Sequence, residues 1–342
     1  MDRTRRRLVQ AVAGASAVGA GLRAGWAAEP RALALSHQFP AGTVEEGDFR
    51  DRLCRRFAAD VERRTSGALK ITIYPNSSLM KTKAQISALR KGALDLGLVP
   101  LPYAGGEIAE ANIGLMPGVV SSYEQGATWK ELPVGRTLAG VLAEKGIMIL
   151  SWIWQAGGVV SRTRPIVEPE DAKGLKVRGG SPEMEMVLKA AGAAVTSVTS
   201  DEIYAAMQTG VLDAAMTSST SLISYRLEEV AKQLTTGRGK AYWFMLEPLL
   251  MSRSVFESLP KNQQEAIVAA GTAQEAFAVE GAKADDQKVA MVYQKAGGKV
   301  YDLTATTVEH WRALARDTAW KDFASRSDSC AKLMKLAEQT MA

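Results

Sequence analysis

EDAKGLKVRGGSPEMEMVLKAAGAAVTSVTSDEIYAAMQTGVLD, residues Glu170–Asp213, switches between strand and helix periodicity more regularly than any other stretch of this chain. Leu175–Arg178 reads as a short strand ending in one arginine beside Gly179 and Gly180. A helix is expected to open at Ser181–Pro182, because a serine hydroxyl accepts from orphan amides and proline is pre-set for the first turn. Ala194–Val198 reads as a second strand, and Thr199 with Glu202 forms the capping pair of a second helix. Gly210 stops that helix, and Val211–Ala215 resumes as a strand. Strand, helix, strand, helix, strand with short links is the pattern of a parallel sheet covered by helices. Ligands of such sheets bind beyond the carboxyl ends of the strands, which is where Arg178 falls.

The same residues carry a family resemblance. Pro169, Glu170, Asp171, Gly174, Leu175, Lys176 and Arg178 follow one characteristic turn and strand; Gly192–Ala193, Val195, Glu202, Ile203, Tyr204, Ala206, Gln208–Val211 and Asp213 follow the next. In both, the chain resembles the solute-receptor subunit of TRAP (tripartite ATP-independent periplasmic, DctP-like) transporters. Thr65–Lys70 leading into Ile71–Pro75, Leu79, Ala88–Leu89 and Gly92–Leu96 extend the likeness over the chain after its leader. The resemblance implies a two-lobed α/β periplasmic-binding-protein (Venus-flytrap) fold with a hinge and a long C-terminal helix spanning both lobes. It implies lobe I from residues 28–153 plus 243–283 and lobe II from residues 154–242 plus 284–342. It also implies an extracytoplasmic receptor that closes on a small organic-acid anion and delivers it to the small and large integral membrane subunits.

Residues 1–27 read as an export signal: Thr4–Val9 is arginine-rich, Ala11–Leu22 is weakly apolar, and Gly25 and Ala27 are small. Arg5–Arg6 fits the twin-arginine pattern, with an ordinary secretory signal as the alternative; either leads to the periplasm. The apolar run is shorter than the roughly 20 residues of a membrane span. The leader holds five arginines and one aspartate, so most of the formal net charge of +5 leaves with it. No basic stripe interleaved with aromatics remains, and nucleic acid is excluded as a partner. The receptor is expected to act as a monomer. Cys54 and Cys330 form no CxxC; separate thiols are expected, with pairing in an oxidising compartment as the alternative, and no metal site or cofactor is expected.

The rest of the chain alternates in the same way. Ala32–Ser36, Leu69–Tyr74, Leu94–Val99, Ile147–Gln155, Gly158–Arg162, Gln233–Thr235 and Tyr242–Ser252 read as strands. Helices are expected over Val44–Thr65 behind the pair Thr43 and Glu46, over Lys83–Lys91, near Ala104–Glu110, over Tyr123–Lys145 and near Ser218–Ser224. Lys261–Ala296 keeps apolar residues at helical spacing without a proline, and Thr306 with Glu309 starts a last helix.

An enzyme needs a nucleophile with its base, a paired acid and base, or a metal. With two histidines, no GxSxG, no HExxH and no phosphate loop, the chain offers none of these, and a binder is expected. Arg178 is the principal candidate: a guanidinium presents a rigid fork of donors that matches a carboxylate and keeps its charge when buried. The alternative is a structural ion pair with Asp171 or Glu183. Thr217 stands where TRAP receptors for sialic acid carry an asparagine, Gly158 where they carry a second arginine, and Ser181 and Ser200 replace two further pocket residues. These departures disfavour sialic acid. Among 22 aromatic residues, Trp154 and Trp243 lie at the expected lobe crossings and are candidate apolar walls, with core packing as the alternative. His37, Gln38, Gln155 and Lys83 are candidates by position near strand ends. A binding protein for an ABC importer or a sensor, or a periplasmic enzyme on this scaffold, remains the competing reading.

Overall fold

The computed structural model describes residues 29–238 and 240–341. Its strands are β1 Arg31–His37, β2 Leu69–Tyr74, β3 Leu96–Leu98, β4 Ile147–Ser151, β5 Trp154–Ser161, β6 Lys176–Arg178, β7 Ala194–Val195, β8 Ala214–Ser218, β9 Gln233–Thr236, β10 Phe244–Leu246, β11 Leu249–Ser252 and β12 Lys299–Asp302. They form two sheets, ordered β2-β1-β3-β11-β4 and β12-β9-β5-β8-β6-β7, with β10 paired to β5. The leader proposed for residues 1–27 lies outside the described residues.

Each sheet is the floor of one lobe, and the chain passes between them at closely spaced points. One is Trp152–Ile153, between β4 and β5; another is Glu247–Pro248, between β10 and β11. Tyr242–Ser252 is therefore two strands rather than one. Phe244–Leu246 pairs antiparallel with Trp154–Ala156, whereas Leu249–Ser252 pairs with β3 and β4 in the other sheet. Likewise Ile147–Gln155 divides at Trp152, because its two ends belong to different sheets.

Lys261–Ala296 is helical almost throughout but bent, as Lys261–Ala273 and Glu275–Lys295. At the bend the Gly271 carbonyl accepts both from the Ser151 hydroxyl at 2.7 Å and, in a tightened turn, from Gln274 N at 3.1 Å. The first segment packs on β4 and the second on β5 and β12, so the helix braces both lobes.

Three helix starts differ from the expected ones. The first long helix spans Phe49–Arg64 and is capped by Asp48, which accepts from Arg50 N; Thr43 instead closes a tight turn by accepting from Glu45 N and Glu46 N. Tyr123–Lys145 is interrupted at Leu132, because proline disfavours helical geometry in the residue before it; a new helix runs Pro133–Glu144. The helix after β12 starts at Ala305 behind Thr304, which accepts from Thr307 N, while Glu309 pairs with Arg312 and Arg316. Ala104–Glu110 contains only short 3₁₀ turns. Cys54 and Cys330 are both buried free thiols.

Candidate functional site

β6 is three residues long and ends where its sheet faces the other lobe. Its last residue, Arg178, is 4% exposed. Nε donates to the Val198 carbonyl at 3.0 Å and Nη1 to the Met216 carbonyl at 2.7 Å. Nη2 donates to the Tyr103 hydroxyl at 2.8 Å and lies 3.4 Å from the Ser200 hydroxyl. Among the described residues no carboxylate pairs with it. Glu183 is bound by Arg326 and Asp171 accepts from the amides of Val167 and Glu168, so neither expected structural partner is available. Neutral acceptors orient the guanidinium.

Gly180 has φ +92°, and a Cβ there would fall 2.8 Å from Arg178 Nη1; only glycine lets the chain turn so close to the guanidinium. Ser181 then caps the helix Pro182–Ala190, accepting from Met184 N at 3.0 Å, with Pro182 in the first turn as expected. Thr199 and Glu202 form the expected capping box. The box holds Ser200 against Tyr103, whose hydroxyl accepts from Ser200 N at 3.1 Å.

A depression of about 290 Å³ opens beside Arg178, lined by Tyr103, Gly180, Ser181, Val198 and Lys83 among others. Of the sequence candidates, Ser181 and Lys83 line it, with Lys83 exposed at the rim, and Arg178 and Ser200 adjoin it through Tyr103. Thr217 is buried on β8, next to the carbonyl that holds Arg178.

Gln155 belongs to a second, fully buried polar cluster. Its Nε2 donates to Glu247 Oε2, which also accepts from Arg50 Nη1 at 3.1 Å. Asp48 grips the Nε and Nη2 of Arg50 at 2.9 and 2.6 Å, and Arg50 Nη1 reaches Ser221 at 3.1 Å on the other lobe. Burial opposes the charge on Arg50, but Asp48 and Glu247 outweigh it and hold the guanidinium firmly protonated. Burial pushes the Glu247 carboxyl up to about 7 against the attraction of Arg50. Gln38 is buried nearby: its carbonyl accepts from Tyr225, and both atoms of its side-chain amide lack a protein partner.

Two candidates are not placed as expected. His37 is fully buried; Nε2 contacts Asp51 at 3.1 Å and Nδ1 accepts from Phe39 N at 3.2 Å. Nε2 thus fastens β1 to the helix Phe49–Arg64, and Nδ1 holds the turn that follows β1. Trp154 packs edge-on against Trp129, with ring centroids 5.0 Å apart, and over Gly126, so the core-packing alternative describes it. Trp243 lies over Gly157, two residues beyond Gln155 on the same face of β5.

Sequence reasoning missed Tyr103, Arg50 and Glu247. Nothing local marks them: Tyr103 sits in a 3₁₀ turn, Arg50 in the first turn of an ordinary amphipathic helix, and Glu247 between two strands. A charged residue inside the otherwise apolar Trp243–Met251 run was the one available signal. No group of three His, Cys, Asp or Glu among the described residues is arranged to hold a metal, and no described helix is long and apolar enough to cross a membrane.

Comparison with known proteins adds to this geometry. The family described as "Bacterial extracellular solute-binding protein, family 7" matches residues 36–326. A solute-binding protein of Albidiferax ferrireducens is 61% identical over 337 residues, covering 98% of this chain and 99% of the relative. The crystal structure of a TRAP periplasmic solute binding protein from Rhodoferax ferrireducens with bound malonate superposes with TM-score 0.89 at 64% identity, over 90% of this chain and 98% of that one. The C4-dicarboxylate-binding periplasmic protein DctP of Rhodobacter capsulatus is 26% identical over 311 residues, 90% of each chain.

Proposed function

We propose, from the premise that this chain belongs to family 7 of the bacterial extracellular solute-binding proteins, that it is a TRAP-type receptor for a small dicarboxylate. The observation that carries this reading is Arg178, a buried guanidinium with no hydrogen-bonded carboxylate among the described residues, adjoining through Tyr103 a depression at the meeting of two lobes. A ligand carboxylate supplies the charge and the planar acceptor pair that such a fork matches. The malonate in the Rhodoferax ferrireducens protein, at 64% identity, favours a dicarboxylate of that size class over a bulky sugar acid.

In this reading the ligand bridges the lobes, so its binding energy favours the closed form. Tyr103 and Lys83 contribute from one lobe, and Arg178, Ser181 and Ser200 from the other. The lobes are taken to divide between Ile153 and Trp154 as expected, but the return expected at residue 243 is moved to Glu247, because Phe244–Leu246 pairs with β5 and only Leu249–Ser252 pairs with β3 and β4. The closed receptor would dock on a pair of integral membrane subunits driven by an ion gradient and would itself catalyse nothing. Export through residues 1–27, with Arg5 and Arg6 as a twin-arginine signal, completes the proposal.

A thermal-shift and calorimetric screen of the mature chain against malonate, succinate and matched monocarboxylates tests it. Dicarboxylates should raise Tm and bind in wild type and not in Arg178→Ala. Tight binding that survives that substitution would remove Arg178 from the site.

A further inference from the structure

Glu247 stands at a lobe crossing, and its own N–H donates to the Ile153 carbonyl of the neighbouring crossing at 2.8 Å. Its side chain is fully buried and unevenly satisfied. Oε2 accepts from both Arg50 and Gln155, while Oε1 has no partner among the described residues. Gln155 Oε1 and the whole Gln38 amide are in the same position. Buried polar atoms are rarely left so, and four of them on Glu247, Gln155 and Gln38 point to a ligand group that completes them.

The charges around this cluster decide what that group can be. Facing Glu247 are Arg50 and Asp48 from the helix Phe49–Arg64, and Arg178 from β6, which is near enough to act on its charge. Around Arg50 stand the neutral hydroxyls of Ser218, Ser221 and Tyr225. Asp48 already neutralises Arg50 through two hydrogen bonds, so the cluster offers no free cation. A dicarboxylate held at one end by Arg178 therefore presents its other end to a carboxyl group.

We infer that Glu247 binds the second carboxyl group of the ligand through a shared proton, so that each dicarboxylate is taken up together with one proton. The inference rests on the dicarboxylate reading above. No covalent bond forms: Glu247 Oε1–H donates to a ligand carboxylate oxygen, and the proton comes from solvent and returns there on release. Two carboxylates cannot share a buried site while both are ionised, whereas a carboxyl donating to a carboxylate makes a strong charge-assisted bond. Gln38 supplies a buried, uncommitted amide donor for the remaining oxygen. Burial already keeps Glu247 in its acid form up to about pH 7, so the proton is in place near neutrality and must be acquired above it.

Isothermal titration of the mature chain with malonate and with succinate, between about pH 6 and pH 9 in two buffers of different ionisation enthalpy, tests this. Both acids are fully ionised over most of that range. Wild type should take up one proton per dicarboxylate above neutrality, with affinity falling about tenfold per pH unit. Propionate, with a single carboxylate, should show neither effect. Glu247→Gln, which keeps a neutral donor, should abolish both the uptake and the slope. A flat wild-type profile, with binding that Arg178→Ala still abolishes, would overturn the inference and leave the proposed function standing. Dicarboxylate binding absent at every pH would overturn both. A slope that persists in Glu247→Gln would place the proton on another group and equally overturn it. Should that variant not fold, the wild-type proton count decides alone.

Discussion

The Tyr103 hydroxyl accepts from Arg178 Nη2 at 2.8 Å, so a tyrosine of one lobe orients the cationic fork of the other. The same hydroxyl accepts from Ser200 N and lies 3.2 Å from Ser200 Oγ, drawing the capped turn at Thr199–Glu202 into the contact. Closure of the lobes and orientation of the guanidinium are thus one arrangement. Among the described residues all the acceptors hydrogen-bonded to Arg178 are neutral.

Tyr103→Phe removes this acceptor without changing the ring. A hydrogen bond to a charged group contributes about 1.5–3 kcal/mol, so ligand affinity should fall by roughly tenfold or more. Titration calorimetry of the variant measures it; unchanged affinity would mean that Tyr103 plays no part in the closed complex.

Arg178→Ala should cost stability as well as binding. The Val198 and Met216 carbonyls would each lose a donor, at about 1–3 kcal/mol apiece where no water replaces it. Chemical denaturation of the unliganded protein reads that loss directly. Arg178→Lys keeps the charge but not the fork, and should bind more weakly than wild type while losing less stability than alanine.

Gly157→Ala probes the floor beneath Trp243. The added Cβ would fall 2.2 Å from the Thr217 carbonyl oxygen and 2.5 Å from the Trp243 ring. The backbone oxygen cannot swing aside as a side chain would, so the variant should lose about 1–3 kcal/mol or more. Its tryptophan emission should also shift as Trp243 is displaced. An unaltered melt and spectrum would contradict this packing.

Stability should decline from mildly acidic to neutral pH through Glu183. Burial raises its carboxyl to about 7, outweighing the attraction of Arg326 at 2.7 Å. Between its ordinary value and about 7 the folded chain then binds more protons than the unfolded chain. This contribution is complete below about pH 4.5 and is lost as pH rises toward 7, on the order of a few kcal/mol. Glu247 is shifted the same way and adds to the slope. Denaturation at about pH 5 and about pH 8 should show a smaller difference in Glu183→Gln than in wild type.

Local chemistry was legible at the caps around Arg178, though the pairs Thr43–Glu46 and Thr306–Glu309 lost their helix starts to Asp48 and Thr304. Ser181 with Pro182, and Thr199 with Glu202, hold their caps as read, since capping involves only residues three or four apart. Arg178 could be singled out because its strand, its glycines and the next helix start are contiguous. Expectations that extended a local pattern across a break did less well. Leu132–Pro133 divides one helix, and another bends where the Ser151 hydroxyl meets it from more than a hundred residues away. His37 was open between a cleft role and a plain strand-end role, and the second describes it: Asp51 and Phe39 occupy both nitrogens.

Strand and helix alternation, the capped turns and an arginine at a strand's end follow from neighbouring residues, because backbone periodicity and capping act over a few positions. Which walls that arginine meets was settled by the folded chain alone. Tyr103 lies 75 residues from Arg178, and Glu247 lies 197 from Arg50. Such partners are brought together by strands pairing into two sheets and by where the chain crosses between them. Buried charge takes its partners from that topology, and no short stretch of sequence contains it.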